Sequence, residues 1–383
     1  MRTWAALLLS LFVCACAAPP PAPPTAGYLF HDELFGPPTE HVGAEDLFTL
    51  SESMRQYLRT EIARQLRDKG RQQGLVDALY RRNQLKLEYD GGTTRTAPQA
   101  FDARAGNCLS LVIMTAAFAK ELGLRIEYQS AFNEETWSRS GNLLFRSGHV
   151  NVTLGRRIAD VGTRYELSSL TVDFLGVDEL RGLRTRSIPE ETVVAMFMNN
   201  RAAEALVRGE LDNAYAWARA AVRQSPGFMS AYNTLGVVYQ RHGDAARARE
   251  VFAQVLEREP ENTRAMSNLA SVLQQEGKTA EANAVLARLA RLDPDPPFHF
   301  FNLGMAAMQR QDYRAARDLF AREVARAEYY HEFHFWLGLA NYRLGEVEEA
   351  RHQLSLAMEN SPSRHEHDLY AAKLAWLRSH QTQ

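Results

Sequence analysis

Apolar positions recur at helical spacing in two early parts of the chain. Residues 45–90 carry such positions among many charges, which predicts two or three helices. A nearly continuous apolar run from Cys108 to Leu122 predicts a buried helix, and Gly123 is expected to end it as a C-cap glycine. The first part of the chain is therefore expected to be a helical subdomain that carries Cys108.

After Gly123 the spacing changes to the alternation of apolar and polar residues that is typical of strands. Three segments alternate in this way, with a polar loop containing Trp137 between the first two, and they cover residues 124–132, 149–154 and 157–162. Helices followed by an antiparallel sheet indicate an α+β domain. We place this domain at 45–190.

From about residue 195 the sequence repeats with a constant step of 34 residues. A Leu-Gly or Leu-Ala pair, a small residue and a proline keep this step, at Leu235-Gly236, Leu269-Ala270, Leu303-Gly304 and Leu337-Gly338, at Ala248, Ala282, Ala316 and Ala350, and at Pro226, Pro260, Pro294 and Pro362. The phase gives five units that begin near 195, 229, 263, 297 and 331. Residues 365–383 then supply a closing helix.

The period and the residues that keep it resemble the tetratricopeptide repeat, an all-α helix-turn-helix unit that stacks into a superhelix. Five units would fill 195–364, with the helix of 365–383 as a cap. The first unit is degenerate, because Arg201 stands where leucine is usual. Terminal units close an otherwise open stack, so an atypical first unit and an added last helix are expected.

The resemblance also implies a concave groove lined by the first helix of each unit. In the second and third units the groove positions are mostly polar, whereas in the last two units they are mostly apolar; the apolar set is Phe298, Phe301, Met305, Met308, Phe335, Leu339 and Tyr342. An apolar groove of this kind binds an apolar peptide or partner helix, or receives another part of the same chain. Local over-packing of the superhelix is the third explanation.

The residue pattern at the N-terminus indicates an export signal. A basic start at Arg2 and the apolar stretch that follows predict a signal peptide over 1–15, too short to span a bilayer. The segment ending at Cys16 resembles a bacterial lipobox, which implies a lipid on Cys16, and the absence of Asp at position 17 favours the outer membrane, facing the periplasm. A Pro-rich linker would fill 16–44. Ordinary cleavage and a soluble secreted protein are the alternative.

Composition and charge narrow the class of protein only slightly. The chain of 383 residues is 45% hydrophobic and 23% charged, as globular proteins are, and its formal net charge of -2 gives no reason to expect a nucleic acid as partner. Neither a cofactor nor a metal is predicted. The partners expected are a protein or peptide in the repeat groove and the membrane through the lipid on Cys16.

Cysteine usage singles out one thiol. Export removes Cys14 and lipidation uses Cys16, so the mature chain keeps Cys108 without a disulfide partner. An unpaired thiol in an oxidising compartment suggests either complete burial or a chemical use. Cys108 is predicted at the first turn of its helix, after Gly106 or Asn107 as cap, where the partial positive charge of the helix terminus favours a thiolate.

Two further residues would complete a nucleophile, base and orienting acid. His149 opens the second predicted strand, and Asp160 lies in the third. If Gly155 and Arg156 form a two-residue turn, Leu154 pairs with Arg157 and Asp160 lies one diagonal step from His149 on the same face. Slipping the turn by one residue on each side pairs His149 directly with Asp160, so either register brings the carboxylate and the imidazole together. A turn of three residues would send Asp160 to the other face.

The segments GNCLSLVIMTAAFAKELGLRIEYQ, GHVNVTL and IADVG resemble the core of the bacterial transglutaminase-like superfamily, which shares the papain-like cysteine protease fold. The resemblance implies a triad of Cys108, His149 and Asp160 and acyl transfer from an amide through a thioester. The Cys108 N–H would hold the oxyanion, with Gln129 or Asn133 as candidates for a second donor. A cysteine peptidase, an amidase and a transglutaminase-like acyltransferase all fit.

Two functions follow from these patterns. The first is a cell-envelope lipoprotein that performs thiol acyl transfer on a protein or peptide brought to it by the repeats. The second is a scaffold without catalysis, in which both domains bind peptides or partners. Cys108 as an inert buried residue belongs to this second hypothesis, because free cysteines are commonly core residues.

Overall fold

The computed structural model describes residues 26–80, 85, 87–140, 143–155, 169–172, 185–361 and 364–379. The predicted signal peptide, the lipidated Cys16 and the third predicted strand, 157–162, lie outside these ranges.

Helices open the described chain, as the amphipathic spacing predicts. Short 3-10 turns at Ala26–Leu29 and Asp32–Leu34 precede α1 (Glu52–Gln56), a single π-helical turn (Tyr57–Glu61), α2 (Ala63–Lys69), α3 (Arg71–Tyr80) and α4 (Ala97–Ala103). Ser51 caps α1 by accepting a hydrogen bond from the Met54 N–H. Arg104 adopts a left-handed conformation with φ 52° and ends α4.

Helix α5 (Cys108–Glu121) is the central helix of this first part. All its residues from Leu109 to Ala119 are buried, which accounts for the uninterrupted apolar run in the sequence. The chain leaves the helix through Gly123, whose φ of 65° is left-handed. The predicted helix and its C-terminal glycine are confirmed.

A four-stranded antiparallel sheet packs against α5. Its strands are β3 (Arg125–Ser140), β4 (Leu143–Gly155), β5 (Leu170–Val172) and β6 (Thr185–Ile188), in the order β5-β4-β3-β6, while the short strands β1 (Glu88–Tyr89) and β2 (Ala105–Gly106) form a separate parallel pair. The prediction of a polar loop around Trp137 is wrong, because Trp137 pairs with Arg146 where the β3–β4 hairpin extends beyond Ser130.

Five helix pairs occupy residues 190 to 359, and a last helix follows them. The pairs are α6 (Glu190–Arg208) with α7 (Leu211–Gln224), α8 (Met229–His242) with α9 (Ala245–Arg258), α10 (Thr263–Gln275) with α11 (Thr279–Leu292), α12 (His299–Gln309) with α13 (Tyr313–Arg326) and α14 (His331–Arg343) with α15 (Val347–Glu359), closed by α16 (Arg364–Ser379). The predicted all-α superhelix is confirmed, with one helix pair for each predicted unit.

The residues that keep the 34-residue step are those that allow the two helices of a unit to approach. A Cβ on Gly236 would lie 2.5 Å from the Phe252 ring, and one on Gly304 would lie 2.6 Å from the Phe320 ring. The repeated alanines, such as Ala248, are completely buried between helices. Small side chains are therefore required at these positions for close helix packing.

Residues 26–45, which we call the strap, lie along the first two repeats and do not form an open linker. Leu29 is buried, its carbonyl accepts a hydrogen bond from the Tyr239 hydroxyl at 2.6 Å, and Phe35 stacks on Tyr215 with ring centroids 4.0 Å apart. The linker predicted over 16–44 thus ends before Leu29. One hydrophobic core runs from the strap through α5 and the sheet into α10.

Candidate functional site

Cys108 is a half-buried free thiol and the first residue of α5. The preceding residue, Asn107, caps the helix: its side-chain oxygen accepts from the Ser110 N–H at 2.9 Å and from the Ser110 hydroxyl at 2.8 Å. Of the two cap candidates, Asn107 is therefore the one used. A thiol at this position faces the positive end of the helix dipole, while the helix behind it is fixed in the core.

His149 lies on β4, which pairs with β3 and contributes to the same core as α5. Helix α5 is about 20 Å long at 1.5 Å per residue, and β3 runs back along it at about 3.3 Å per residue, so the strand reaches the helix N-terminus near Ala131. The neighbouring pair is Ser130 with Val150, and His149 precedes Val150 on β4. The imidazole is buried, with a relative exposure of 5%. The lengths of α5 and β3 therefore indicate that the segments bearing Cys108 and His149 lie toward the same end of the helix.

The register also divides the sheet into two faces. Val150, Val152 and Leu154 belong to the hydrophobic core that contains α5, and their cross-strand partners include Tyr128 and Ile126. The alternate positions of β4 carry polar side chains that are also buried: His149, Asn151 and Thr153. Regular alternation therefore assigns His149 to the polar face.

A register shift in β3 between Ser130 and Glu135 interrupts the ladder opposite His149. Such irregularities re-aim neighbouring side chains. Of the two oxyanion candidates, Gln129 is half-buried and pairs with Asn151 on the polar face, whereas Asn133 lies within the irregular part of β3. Gln129 is accordingly two residues of β4 away from His149.

The strand beside β4 is not the one predicted. Leu154 pairs with Leu170 on one side and with Ile126 on the other, so no edge of Leu154 remains for Arg157. The predicted pairing of Leu154 with Arg157 is therefore wrong, and the residues of the predicted turn after Gly155 lie outside the described ranges. Asp160 lies outside the described residues, and its role as the orienting acid stays a prediction.

A partly buried polar network that the sequence patterns did not reveal holds the cap of α5. The Asn107 side-chain amide donates to the Thr94 hydroxyl at 2.9 Å, and the Thr94 N–H donates to Glu204 Oε1 at 2.7 Å. Arg201 donates to Glu204 Oε2 at 3.0 Å and to Glu40 Oε2 at 2.6 Å. The network therefore runs from the helix cap through the first repeat to the strap.

The environment of Glu204 shows why Arg201 is present. Burial raises the pKa of Glu204, while hydrogen bonds from Thr94 and the positive charge of Arg201 act in the opposite direction. The repeat usually has leucine at the position that Arg201 occupies. A leucine there would leave the carboxylates of Glu204 and Glu40 without this cation. The departure from the repeat pattern at Arg201 was the one sequence signal of the network.

The apolar groove positions are largely filled by the chain itself. Phe298 and Phe301 are buried in an aromatic cluster, with Phe298 edge-on to Phe333 at 5.1 Å. The closing helix α16 covers the fifth unit, where Phe335 stacks on Tyr370 at 5.3 Å. Tyr342 similarly contacts Trp376 of α16. The remaining groove residues, Met305, Met308 and Leu339, are half-buried.

These contacts decide between the explanations of the apolar groove. The same chain docks on the fifth unit, and the aromatic residues of the fourth unit are packing residues.

No helix in the described ranges is long and apolar enough to cross a bilayer.

Two family models, both described as tetratricopeptide repeat, match residues 239–299 and 301–365. No curated protein matches the chain. The helix pairs over these residues are tetratricopeptide repeats, as the 34-residue period predicts.

Solved structures of repeat proteins are also similar. That of pilF from Pseudomonas aeruginosa is 20% identical over 51% of this chain and 88% of its own, with a TM-score of 0.32. That of TTC0263, a thermophilic TPR protein in Thermus thermophilus, is 18% identical over 47% of this chain and 99% of its own, with a TM-score of 0.32. That of YrrB, a TPR protein with an unusual peptide-binding site, is 22% identical over 47% and 92%, with a TM-score of 0.25.

Proposed function

We propose that this chain, whose C-terminal part is a stack of tetratricopeptide repeats, binds a polypeptide through the repeats and transfers an acyl group of that polypeptide to Cys108. The observation that supports the proposal is the position of Cys108: a half-buried free thiol begins a capped, buried helix, and His149 lies on a strand that shares the core of that helix. The chemistry is that of the transglutaminase-like proteins that residues 80–180 resemble.

The reaction has two balanced steps. The Cys108 sulfur attacks the amide carbon while His149 takes the thiol proton, and the same proton then passes to the leaving nitrogen as the carbon–nitrogen bond breaks. In the second step water or an amine attacks the thioester carbon while His149 takes a proton from it, and the carbon–sulfur bond breaks as that proton returns to the Cys108 sulfur; water gives a carboxylic acid and an amine gives a new amide. The Cys108 N–H and Gln129 stabilise the oxyanion, and Asp160 orients His149.

Alkylation of Cys108 by iodoacetamide tests the first step. At pH 7 the thiol of the full chain should react about tenfold faster than a free thiol, and His149→Ala should remove that advantage. Thr153→Ala is the matched control, because Thr153 lies on the same face of β4. Equal rates in the wild type and the His149→Ala variant would contradict the proposal.

A non-catalytic scaffold is the second candidate, and the sheet register favours it. Regular alternation sets His149 on the polar face with Asn151, away from the apolar face that shares its core with α5. Incorporation of a labelled primary amine into a glutamine-containing protein, and release of ammonia in water alone, separate the candidates. Turnover that is lost in Cys108→Ala supports the enzyme, whereas no turnover with unchanged partner binding supports the scaffold.

The same proposal places the protein in the bacterial cell envelope, anchored by a lipid on Cys16 and facing the periplasm. In that oxidising compartment an unpaired thiol persists only when it is protected or used. Cys108 is only half-buried, so the fold gives it incomplete protection. The half-exposed thiol in this compartment agrees better with a chemical use than with inert packing.

A further inference from the structure

The strap makes charged and aromatic contacts with the first two repeats along its whole length. The Asp32 carboxylate accepts a hydrogen bond from the Tyr215 hydroxyl at 2.7 Å and forms an ion pair with Arg219. These interactions hold the pKa of Asp32 below its usual range. Further along, the Thr39 N–H donates to Asn213 Oδ1 at 2.8 Å.

Glu40 connects the end of the strap to the first repeat. One carboxylate oxygen accepts from the Trp217 indole N–H at 2.7 Å, and the other accepts from Arg201 at 2.6 Å. Arg201 and Glu40 are both partly buried, so their interaction is screened by water less than a surface ion pair is. Arg201 is thereby held between a carboxylate of the strap and Glu204.

From this evidence we propose that docking of the strap fixes the N-terminus of α5, and that Arg201 and Glu204 are positioning residues for Cys108. The path consists of direct hydrogen bonds from Glu40 through Arg201, Glu204 and Thr94 to Asn107. Its consequence for catalysis rests on the proposed thiol chemistry, but the coupling itself does not.

The physical basis of the coupling is the cost of leaving a buried charge without its partner. When the strap leaves, Arg201 loses one carboxylate and gains access to water. Arg201, which Glu40 no longer holds in place, is then free to move beside Glu204, and Glu204 is the acceptor for the Thr94 N–H. Thr94 and Asn107 are both buried, so movement of Thr94 disturbs the cap at Asn107 directly.

Hydrogen exchange in the full chain tests the coupling without reference to thiol chemistry. Arg201→Leu restores the usual repeat residue and is therefore expected to fold. It should speed exchange of the Ser110 and Leu111 amides about tenfold, because loss of a charged hydrogen bond increases local opening. Amides of α13 should not change.

Four further variants make the test specific. Glu40→Gln and Asp32→Asn, which weaken the strap at two separate places, should each speed the same amides, and Glu40→Gln combined with Arg201→Leu should be less than additive. Arg288→Leu, an exposed arginine of α11 outside the network, is the matched control. Exchange at Ser110 and Leu111 within about twofold of the wild type in both Arg201→Leu and Glu40→Gln would overturn the proposal.

Alkylation of Cys108 in the same variants separates the two proposals. An altered dependence of the rate on pH in Arg201→Leu, together with faster exchange, supports both. If exchange responds while Cys108 reacts like a free thiol in every variant, the coupling stands and the catalytic proposal fails. If Cys108 is reactive but neither measurement responds, the catalytic proposal stands and the coupling fails.

Discussion

Glu323 shows how a single side chain supports a whole repeat. Its carboxylate is completely buried and accepts hydrogen bonds from the N–H groups of Phe298, Phe300 and Phe301 at 3.2, 2.8 and 3.1 Å. Phe298 adopts a left-handed conformation with φ 65°, which is rare for an aromatic residue. One carboxylate thus caps α12 from the neighbouring helix and holds the strained residue that begins it.

Glu323→Ala is expected to lower the free energy of unfolding by about 3 kcal/mol, because it leaves buried backbone donors without an acceptor. Urea denaturation of the full chain measures the change. Glu328→Ala, at an exposed position just beyond the same helix, serves as control. Equal midpoints for the two variants would show that the cap does not stabilise the repeat.

The identity of the acid that orients His149 is also a question at the scale of residues. If Asp160 has that role, Asp160→Asn should slow alkylation of Cys108 at pH 7 about as much as His149→Ala does. Asp173, which directly follows Val172 of β5 in the sequence, is the carboxylate to compare with it. A slow Asp173→Asn variant beside an unchanged Asp160→Asn variant would reject the assignment of Asp160.

At the scale of elements, a half-buried histidine contacts α16 where it docks on the fifth unit. His331 Nδ1 and the Tyr370 hydroxyl are joined by a hydrogen bond of 2.7 Å. Burial lowers the pKa of His331, while Glu366 and Glu332, which face it, act in the opposite direction. The apolar contacts of Leu374 and Leu377 with the fifth unit complete the interface.

The sign of the pH effect follows from the lowered pKa. The undocked histidine binds a proton near its ordinary pKa of about 6.5, but the docked one does so only at lower pH. The stabilisation is therefore present above that ordinary pKa and is lost as the pH falls through the lowered one. Exchange of the α16 amides should increase on acidification, relative to those of α9.

His331→Gln should reduce this difference between α16 and α9, since the titrating group is gone. The matched control is His352→Gln, which changes a histidine of α15. An unchanged response to acid in His331→Gln would assign the effect to another group, such as the buried His334.

At the scale of the whole molecule, the strap determines how far an anchor could hold the repeats from a membrane. Residue 26 already contacts the folded body, and only about ten residues separate it from Cys16, which corresponds to about 35 Å of extended chain. A lipid on Cys16 would therefore keep the first two repeats close to the bilayer.

Metabolic labelling with a fatty acid tests the anchor. The wild-type chain should incorporate the label and sediment with membranes, and Cys16→Ser should lose both properties. Cys14→Ser is the matched control and should keep them. Failure of the wild type to incorporate label would favour ordinary cleavage and a soluble secreted protein.

Local patterns in the sequence were sufficient for the elements whose side chains are dictated by their immediate neighbours. The 34-residue step predicted the helix pairs, because small residues such as Gly236 and Ala248 are needed wherever two helices approach closely. The apolar run after Cys108 likewise predicted the buried helix and its end at Gly123. Periodicity reports which face of an element is buried, and that face does not depend on distant residues.

Tertiary structure alone decided the relations between segments distant in sequence. The pairing of Leu154 with Leu170, the docking of the strap on Tyr215 and the network from Glu40 to Asn107 join residues whose local patterns do not refer to one another. Each depends on which partner offers the better packing or hydrogen bond once the chain is compact. The sequence by itself determined the helices, the repeats and the candidate thiol; the fold decided what surrounds that thiol.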